Sequence, residues 1–458
     1  MKNDTIAAIA TPVGIGGIGV IRISGSDAVN VADRVFRAAD KTALASAPTH
    51  TIHYGHIVDG SGNITDEVMA AVMRAPRTFT AEDVVEISTH GSPLVMKKAL
   101  SLIIGAGARL AEAGEFTKRA FLNGRIDLSR AEAVIDVIHA DSDVSLKNAI
   151  NQLEGGLMHE IEKIREPLLY ASAQFAAAVD YPDDEIADLS EESLRETLIS
   201  AIDMCTNLLS DTDLGRIAKD GALCVLCGRP NVGKSSLLNC LTRSQRAIVT
   251  EFEGTTRDVI EESVIIDGAA VRLVDTAGLR EAADAVEKIG VERSKSYIKS
   301  ADIALVLFDN SEAVTDEDFD ALRLTEGKKR IIVINKSDIC AEFDTAAIKE
   351  FTDGDRVIYI STKTGEGIDE LKNTIAEMCN FDKIGRGSTL VSNMRHAQAL
   401  SEAKNALMSA LETLESGMPM DMCSIDVSAA LESLGLITGV SVSADIVDKI
   451  FAEFCVGK

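Results

Sequence analysis

At 458 residues the chain exceeds what a single core of up to ~250 residues supports, so two to four domains are expected. Asp and Glu number 72 against 46 Lys and Arg, a net charge of −26, which argues against a basic surface that binds nucleic acid indiscriminately; any RNA partner needs a local basic patch or a second protein. No run reaches the ~18 apolar residues of a membrane span, no apolar core follows Met1-Lys-Asn-Asp-Thr-Ile6, and the 8 cysteines form no framework, so a soluble, cytoplasmic chain with reduced thiols and no membrane partner is expected.

Residues 1 to about 119 alternate strand patterns (Thr5 to Ala10, Gly19 to Ile23, His53 to Val58, Val84 to Ser88) with short helical ones, as an α+β domain does. Gly14-Ile-Gly-Gly-Ile-Gly19 spells G-x-G-x-x-G but runs into the strand pattern Val20-Ile-Arg-Ile23, which leaves no helix N-terminus for a pyrophosphate and argues against a dinucleotide site. From about 120 to 216 the chain turns Ala/Glu/Leu-rich and helical. Ser129-Arg-Ala-Glu132 reads as a capping box opening one helix, Ser190-Glu-Glu-Ser193 opens another, and Asp180-Tyr-Pro-Asp-Asp-Glu185 is an acidic turn between them. A strand-helix alternation fills 217–379. Helical periodicity returns over 380–458, from His396 through Leu411 and from Val427 to Phe454. The simplest architecture is one helical domain built from both flanks with an α/β domain inserted; two separate helical domains are the alternative.

The inserted segment carries the clearest chemistry. Gly228-Arg-Pro-Asn-Val-Gly-Lys-Ser235 reads G-x-x-x-x-G-K-S between a strand pattern (Ala222 to Cys227) and a helix-forming run from Ser236. The backbone N–H groups from Asn231 through Val232 and Gly233 to Ser236 can cradle phosphate, Lys234 reaches the outer phosphates, and Ser235 offers a hydroxyl to Mg²⁺. Gly254-Thr-Thr-Arg-Asp258 supplies Thr256, a second candidate Mg²⁺ ligand that closes when a third phosphate is present. Asp275-Thr276-Ala277-Gly278 ends a strand pattern and places Asp275 near the metal and the Gly278 N–H near the terminal phosphate. Asn335-Lys336-Ser-Asp338 ends another, and the Asp338 carboxylate can accept from guanine N1–H and its 2-amino group, a pair that adenine lacks. Ser361-Thr362-Lys363 ends a third and backs the base. The expected ligand is GTP or GDP in a Ras-like P-loop fold. Cys224 and Cys227 form C-x-x-C on the strand entering the loop and read as core residues.

Leu279 stands where Ras-like proteins carry the glutamine that orients the attacking water, and leucine has no group for that task. Either hydrolysis is slow or another residue supplies it; Glu287 in Val286-Glu-Lys-Ile-Gly290 is the nearest carboxylate, with a solvated switch-helix residue as the alternative.

The inserted GTP-binding segment, Thr5-Ile-Ala-Ala-Ile-Ala-Thr-Pro12, Ile21-Arg-Ile-Ser-Gly25, Gly114-Glu-Phe-Thr-Lys-Arg-Ala-Phe-Leu-Asn-Gly-Arg125 and the tail Phe454-Cys-Val-Gly-Lys458 together resemble the MnmE (TrmE) family of tRNA-modification GTPases over essentially the whole chain. The resemblance implies an N-terminal folate-binding and dimerisation domain, a discontinuous helical domain and a G domain. It implies a homodimer that joins a flavin-dependent MnmG-type partner, in a heterotetramer or larger, to build an aminomethyl-type group on C5 of wobble uridine 34 of certain tRNAs, using a tetrahydrofolate one-carbon unit such as that of 5-formyltetrahydrofolate. Arg22, Glu86, Arg125 and Lys458 match folate-contacting positions, and Cys455 matches a tail cysteine proposed to act near the one-carbon transfer. The resemblance also implies K⁺-stimulated hydrolysis as G domains meet. The ion is held by Asn231 with Thr250, Phe252 and Thr255, within a nucleotide-facing loop of Thr250, Glu251, Phe252, Glu253, Gly254, Thr255 and Thr256, and Glu287 positions the water. The sequence departs from the family pattern at Val13, Ile15, Ala81 and Ala113, all beside the folate-contacting positions.

Three other readings share parts of this pattern: a ribosome-assembly GTPase, a folate-dependent aminomethyl transferase with a regulatory G insertion, and a non-enzymatic GTP-switched scaffold. The first carries tandem G domains or a KH module, and this sequence has one phosphate loop and a helical tail.

Overall fold

The computed structural model describes residues 4–180, 190–244, 261–275, 296–384, 389–452 and 454–457. Two compact units emerge, residues 1–135 with 435–458, and residues 136–434. No described helix is long and apolar enough to cross a membrane.

The first unit is built on a seven-stranded sheet of β1 (Ile6–Ile9), β2 (Ile18–Ser24), β3 (Phe36–Ala38), β4 (Thr51–Val58), β5 (Ile64–Met73), β6 (Val84–His90) and β7 (Arg109–Leu110). Their spatial order is β3-β4-β5-β6-β2-β1-β7, antiparallel except for the β1–β7 pair. Alternate residues Ile21, Ile23, Val68, Ala70, Val72, Val85 and Ile87 face one side and bury against α1 (Ala28–Val35) and α2 (Pro93–Gly105), so the period of two seen in the sequence becomes one covered face. The Gly14–Gly19 stretch enters β2 and no helix follows it.

Helices α3 (Glu115–Leu122) and α4 (Leu128–His139) continue the chain, and the first unit closes with the C-terminal helix Ala444–Ala452 packed on them through Ala120, Leu128, Ala131, Val447, Phe451 and Phe454. Here the capping expectation needs correcting. Ser129 lies inside α4 and is fully buried; the cap is Asp127, whose Oδ1 accepts from the Arg130 N–H at 3.1 Å and from the Ser129 hydroxyl at 2.5 Å. With the helix starting two residues earlier than expected, the Asp127 carboxylate takes the orphan Arg130 N–H and Ser129 falls inside the first turn. Ser190 does cap its helix, accepting from the Ser193 N–H at 3.1 Å.

The second unit holds α5 (Asp143–Leu153), α6 (Gly156–Asp180), α7 (Glu191–Ser210) and α8 (Thr212–Asp220), and then a doubly covered sheet. Its strands are β8 (Ala222–Cys227), β9 (Glu261–Ile266), β10 (Ala269–Asp275), β11 (Ile303–Asp309), β12 (Arg330–Asn335) and β13 (Arg356–Tyr359), in the order β13-β12-β11-β8-β10-β9. All pairs are parallel but the β9–β10 hairpin, whose two-residue turn Asp267-Gly268 takes positive φ at both positions, 50° and 77°, as a right-twisted hairpin requires. One face packs on α9 (Lys234–Ser244) and α11 (Ile368–Met378) through Leu237, Leu241, Leu371 and Ile375; the other meets α10 (Asp316–Leu324) through Ala321 and Leu322. Cys224 and Cys227 fall on opposite faces of β8, each in a different core. The expected acidic turn after Asp180 lies outside the described residues.

After the short α12 (Phe381–Ile384), α13 (Met394–Glu415) returns along α7, with Leu194, Leu198, Ala201 and Cys205 of one and Ala399, Leu400, Ala403, Leu407, Ala410 and Leu414 of the other buried at helical spacing. Helices from both sides of the nucleotide-binding segment thus share one interface. The expected helical run from Val427 is split: α14 (Cys423–Thr438) ends at Gly439, and α15, the helix Ala444–Ala452, begins after a turn. Gly439 has φ +93°, and a Cβ there would come within 2.7 Å of the Phe121 ring, so the break is held by packing that a periodicity count does not register.

Ala81 adopts φ +61°, a left-handed conformation that costs an L-residue about 1–2 kcal/mol. Replacing it with glycine is therefore expected to raise the thermal midpoint of the first unit by a few degrees; calorimetry showing no rise for Ala81→Gly would mean the strain is relieved elsewhere.

Candidate functional site

In the second unit the ligand-type residues gather at the carboxyl ends of parallel strands, where open α/β sheets bind ligands. The phosphate loop leaves β8 at Gly228 and enters α9 at Lys234. Gly228 (φ +141°) lies where a Cβ would come within 2.5 Å of the Leu307 carbonyl, and Gly233 (φ +102°) where it would come within 2.1 Å of Asn335 Nδ2. Asn231 between them also takes a positive φ, +66°, which asparagine tolerates better than most residues, and its side chain is exposed. Lys234 is 5% exposed and its ammonium donates to the carbonyls of Gly228 and Arg229, both at 2.7 Å. The Ser235 hydroxyl donates to Asp275 Oδ2 at 3.2 Å across β8 and β10, which brings two of the expected Mg²⁺-shell residues together.

The base loop is tied to this cradle. Asn335, fully buried at the end of β12, donates from Nδ2 to the Val232 carbonyl at 2.8 Å and accepts at Oδ1 from the Thr362 N–H at 3.2 Å. One amide thus joins all three loops. Asp338 Oδ1 accepts from the Ser361 hydroxyl at 2.7 Å, and Lys363 Nζ lies 3.9 Å from Oδ2. The Ser361 hydrogen bond, with Lys363 adding to it, holds the Asp338 carboxyl below its ordinary value, in the ionised form that accepts two hydrogen bonds from a guanine edge. Ser361 is itself fully buried.

Thr250, Glu251, Phe252, Glu253, Gly254, Thr255, Thr256, Thr276, Ala277, Gly278, Glu287 and Lys458 lie outside the described residues. Sequence reasoning missed Asp309, at the end of β11, whose Oδ2 receives Lys336 Nζ at 2.5 Å. It also missed Glu312, which pairs with Arg229 of the phosphate loop at 2.6 Å. The signal was present: Ile303–Asp309 is an unbroken apolar strand running into Asp-Asn-Ser, much as its neighbour β12 runs into Asn-Lys-Ser-Asp.

A second cluster lies in the first unit. Arg22 and Glu86 face each other across β2 and β6 and pair at 2.8 Å. The Arg22 guanidinium lies 4.7 Å from the centre of the Phe79 ring and that of Arg125 lies 5.3 Å from it, while Arg125 Nη1 donates to the Phe79 carbonyl at 2.7 Å. No carboxylate pairs with Arg125 among the described residues; burial and the nearby Arg130 charge bring its pKa below the ordinary value. The C-terminal tail reaches the same place. Val456 bridges to Ala113, Cys455 O accepts from the Gly114 N–H at 3.4 Å, and Gly457 O accepts from Arg22 Nη1 at 3.5 Å. Cys455 is exposed, although Phe454 and Gly457 on either side are buried. The structure therefore brings Arg22, Glu86, Arg125 and the tail together, with Phe79 as a member that the sequence did not suggest.

Comparison with known proteins decides the family. The family model "MnmE helical domain" matches residues 128–455, and "GTP-binding protein TrmE N-terminus" matches residues 5–125. The chain belongs to the MnmE family. Curated relatives named tRNA modification GTPase MnmE include those of Geobacillus thermodenitrificans, 47% identical over 99% of both chains, and Bacillus mycoides, 46% identical over 100% of both. That of Ligilactobacillus salivarius is 46% identical over 99% of this chain and 98% of its own. Among solved structures, the G domain of the T. maritima FeoB iron transporter is 28% identical, covering 34% of this chain and 98% of that one, with a TM-score of 0.27. An Aquifex aeolicus Era variant bound to GDP.AlF4- is 26% identical, covering 41% and 66%, with a TM-score of 0.28.

In the same unit, Arg109 and Arg119 are laced to Asp4, Glu82 and Glu115. The Arg109 hydrogen bond draws Asp4 below 3.8; burial opposes the ionised Glu115, but Arg109, the Glu112 N–H and Arg119 outweigh it and draw its carboxyl below 4.5. Carboxyls with depressed folded pKa values contribute stability that is complete above the unfolded values and disappears as pH falls through the folded ones. An Arg109→Ala variant is thus expected to melt below the parent at pH 7, with the gap narrowing as pH drops under 4.5 and through the folded values of Asp4 and Glu115. A gap independent of pH in thermal melts would show that Arg109 acts by packing alone.

Proposed function

We propose that this MnmE-family GTPase binds and hydrolyses GTP in the second unit and, with a flavin-dependent partner, modifies C5 of the wobble uridine of certain tRNAs using a folate-borne one-carbon unit gathered at the first unit. The observation that carries the nucleotide half is the joining of the Gly228–Ser235 cradle to an ionised Asp338 through Asn335. The division of labour is an N-terminal folate-binding and dimerisation domain over 1–119, a helical domain over 120–216 and 380–458, and a G domain over 217–379.

In this reading Lys234 exchanges the Gly228 and Arg229 carbonyls for phosphate oxygens, Asp338 selects guanine, and Ser236 with the Val232 and Gly233 amides completes the cradle. Ser235 and Thr256 would hold Mg²⁺, and Asn231, Thr250, Phe252 and Thr255 would hold K⁺; bound there, such cations would supply positive charge against that developing between the phosphates. Glu287 positions the water that Leu279 has no group to position. Two chains pair as a homodimer, for which the open side of the β4–β5 hairpin, with Ile52 at 69%, Tyr54 at 52% and Met69 at 48% exposure, is a suitable apolar face. The folate reading is supported by Arg125, a cation without a carboxylate partner among the described residues, suited to a glutamate tail, and by Glu86, suited to a pterin edge, with Lys458 adding a second counter-charge.

GTP turnover is expected to be faster in K⁺ than in Na⁺, with the difference lost in Asn231→Ala. Equal rates in the two salts for the parent chain would sink the potassium assignment. In cells lacking this protein, mass analysis of tRNA is expected to show unmodified wobble uridine, restored by the parent gene but not by Cys455→Ser. Unchanged nucleosides on deletion would overturn the tRNA reading, and full rescue by the serine variant would remove the thiol from the chemistry.

A further inference from the structure

We propose that Asp309 is a positioning residue for guanine-nucleotide binding, fixing Lys336 beside Asp338 and, through its own loop, joining the base loop to the phosphate loop. The inference rests on the guanine-nucleotide reading above.

Asp309 is 3% exposed at the end of β11, next to β12 in the sheet. At the carboxyl end of β11, its Oδ2 takes the Lys336 ammonium at 2.5 Å, and Oδ1 takes the Ser311 N–H at 2.9 Å and the Ser311 hydroxyl at 2.6 Å. Burial disfavours the charge, yet the Lys336 and Ser311 hydrogen bonds outweigh it and keep the group ionised. The lysine needs such an anchor. Its backbone is left-handed, φ +64°, and its side chain is 33% exposed, so an unanchored stem would sample many rotamers and lose them on binding. An ammonium tied at its far end bears that ordering cost before the ligand arrives.

The same run grips the rest of the nucleotide edge. The Asn310 N–H donates to the Asn335 carbonyl at 2.8 Å, and the Asn310 carbonyl accepts from Glu342 and Phe343 at 2.9 and 3.2 Å, so the turn that carries Asp338 hangs from it. Two residues on, Glu312 holds Arg229 of the phosphate loop, whose carbonyl now receives Lys234. The run 309–312 therefore touches both the part of the site that reads the base, through Asp309 and Asn310, and the part that reads the phosphates, through Glu312. A pair retained only for fold stability has no need of this placement, since a buried ion pair is often no more stabilising than an apolar replacement of the same size.

The test uses the full chain and a fluorescent GDP analogue in stopped-flow dissociation, with Asp309→Asn, Lys336→Gln and the double variant. Losing one charge-assisted hydrogen bond is expected to speed GDP release by about tenfold or more and to raise the KM for GTP comparably. A positioning role confined to binding predicts that kcat at saturating GTP changes by less than about threefold. In the Lys336→Gln background the Asp309 substitution is expected to add little, and Asp309→Glu is expected to recover part of the affinity. Unchanged GDP release, a full effect that persists without Lys336, or a kcat that falls as far as affinity would each overturn the inference. A parent chain that prefers GDP to ADP while Asp309→Asn releases GDP at the parental rate refutes this inference alone. A parent chain without that preference refutes the guanine reading and the inference with it.

Discussion

The carboxamide of Asn335 is the constraint on which the nucleotide site depends. It has one donor group and one acceptor group in use, and they go to different loops: the Val232 carbonyl of the phosphate loop and the Thr362 N–H of the base-backing loop. Because Asn335 is fully buried, neither bond competes with water, and losing either would leave a polar group stranded. The same side chain dictates the residue beneath it: a Cβ at position 233 would come within 2.1 Å of its nitrogen, so the glycine is required there for close approach as well as for its positive φ. Phosphate-loop shape and base-loop shape are thus a single geometric problem with one shared atom group.

How legible this was follows from where the information sits. The strands entering the cradle and the base loops are short apolar runs that break at glycine, asparagine or serine, a contrast that survives in one dimension, and Gly228, Lys234, Asp338 and Ser361 were readable from it. Asp309 ends a similar run, but its significance comes from Lys336, 27 positions away, and only the β11–β12 pairing brings the two together. Local competition also eludes pattern reading. Asp127 and Ser129 can both cap α4, and the carboxylate wins while the hydroxyl turns to it. The Gly439 break is set by the Phe121 ring, over three hundred positions away in the chain, so the apolar period runs on through a position where the helix stops.

The N-terminal cluster follows a different logic, in which backbone rather than side chains carries the closure. The tail reaches Arg22 through the Gly457 carbonyl, and Gly457 has φ +98° with its α-carbon so near the Ile9 carbonyl that a Cβ would come within 2.3 Å of that oxygen. Gly114 makes the same accommodation on the other side, where a Cβ would come within 2.4 Å of the Phe451 carbonyl. Two glycines thus let the last residues thread between β1 and the start of α3, and Phe454 anchors the thread by burying in the core of Phe451 and Leu128.

The consequence bears on reactivity. Cys455 is exposed, yet it stands between a buried aromatic anchor and a buried, hydrogen-bonded glycine, so its backbone is fixed on both sides while its thiol stays accessible. A group held this way keeps its side-chain freedom but has little backbone entropy left to lose, which is the condition under which proximity to a bound reactant is most effective. Arg22 is balanced by Glu86, whereas Arg125 is held by the Phe79 ring and carbonyl, with no carboxylate partner among the described residues. In a chain of net charge −26, an exposed guanidinium with no carboxylate partner among the described residues departs from the global balance, and it lies on the same Phe79 ring as Arg22, which takes the tail carbonyl of Gly457.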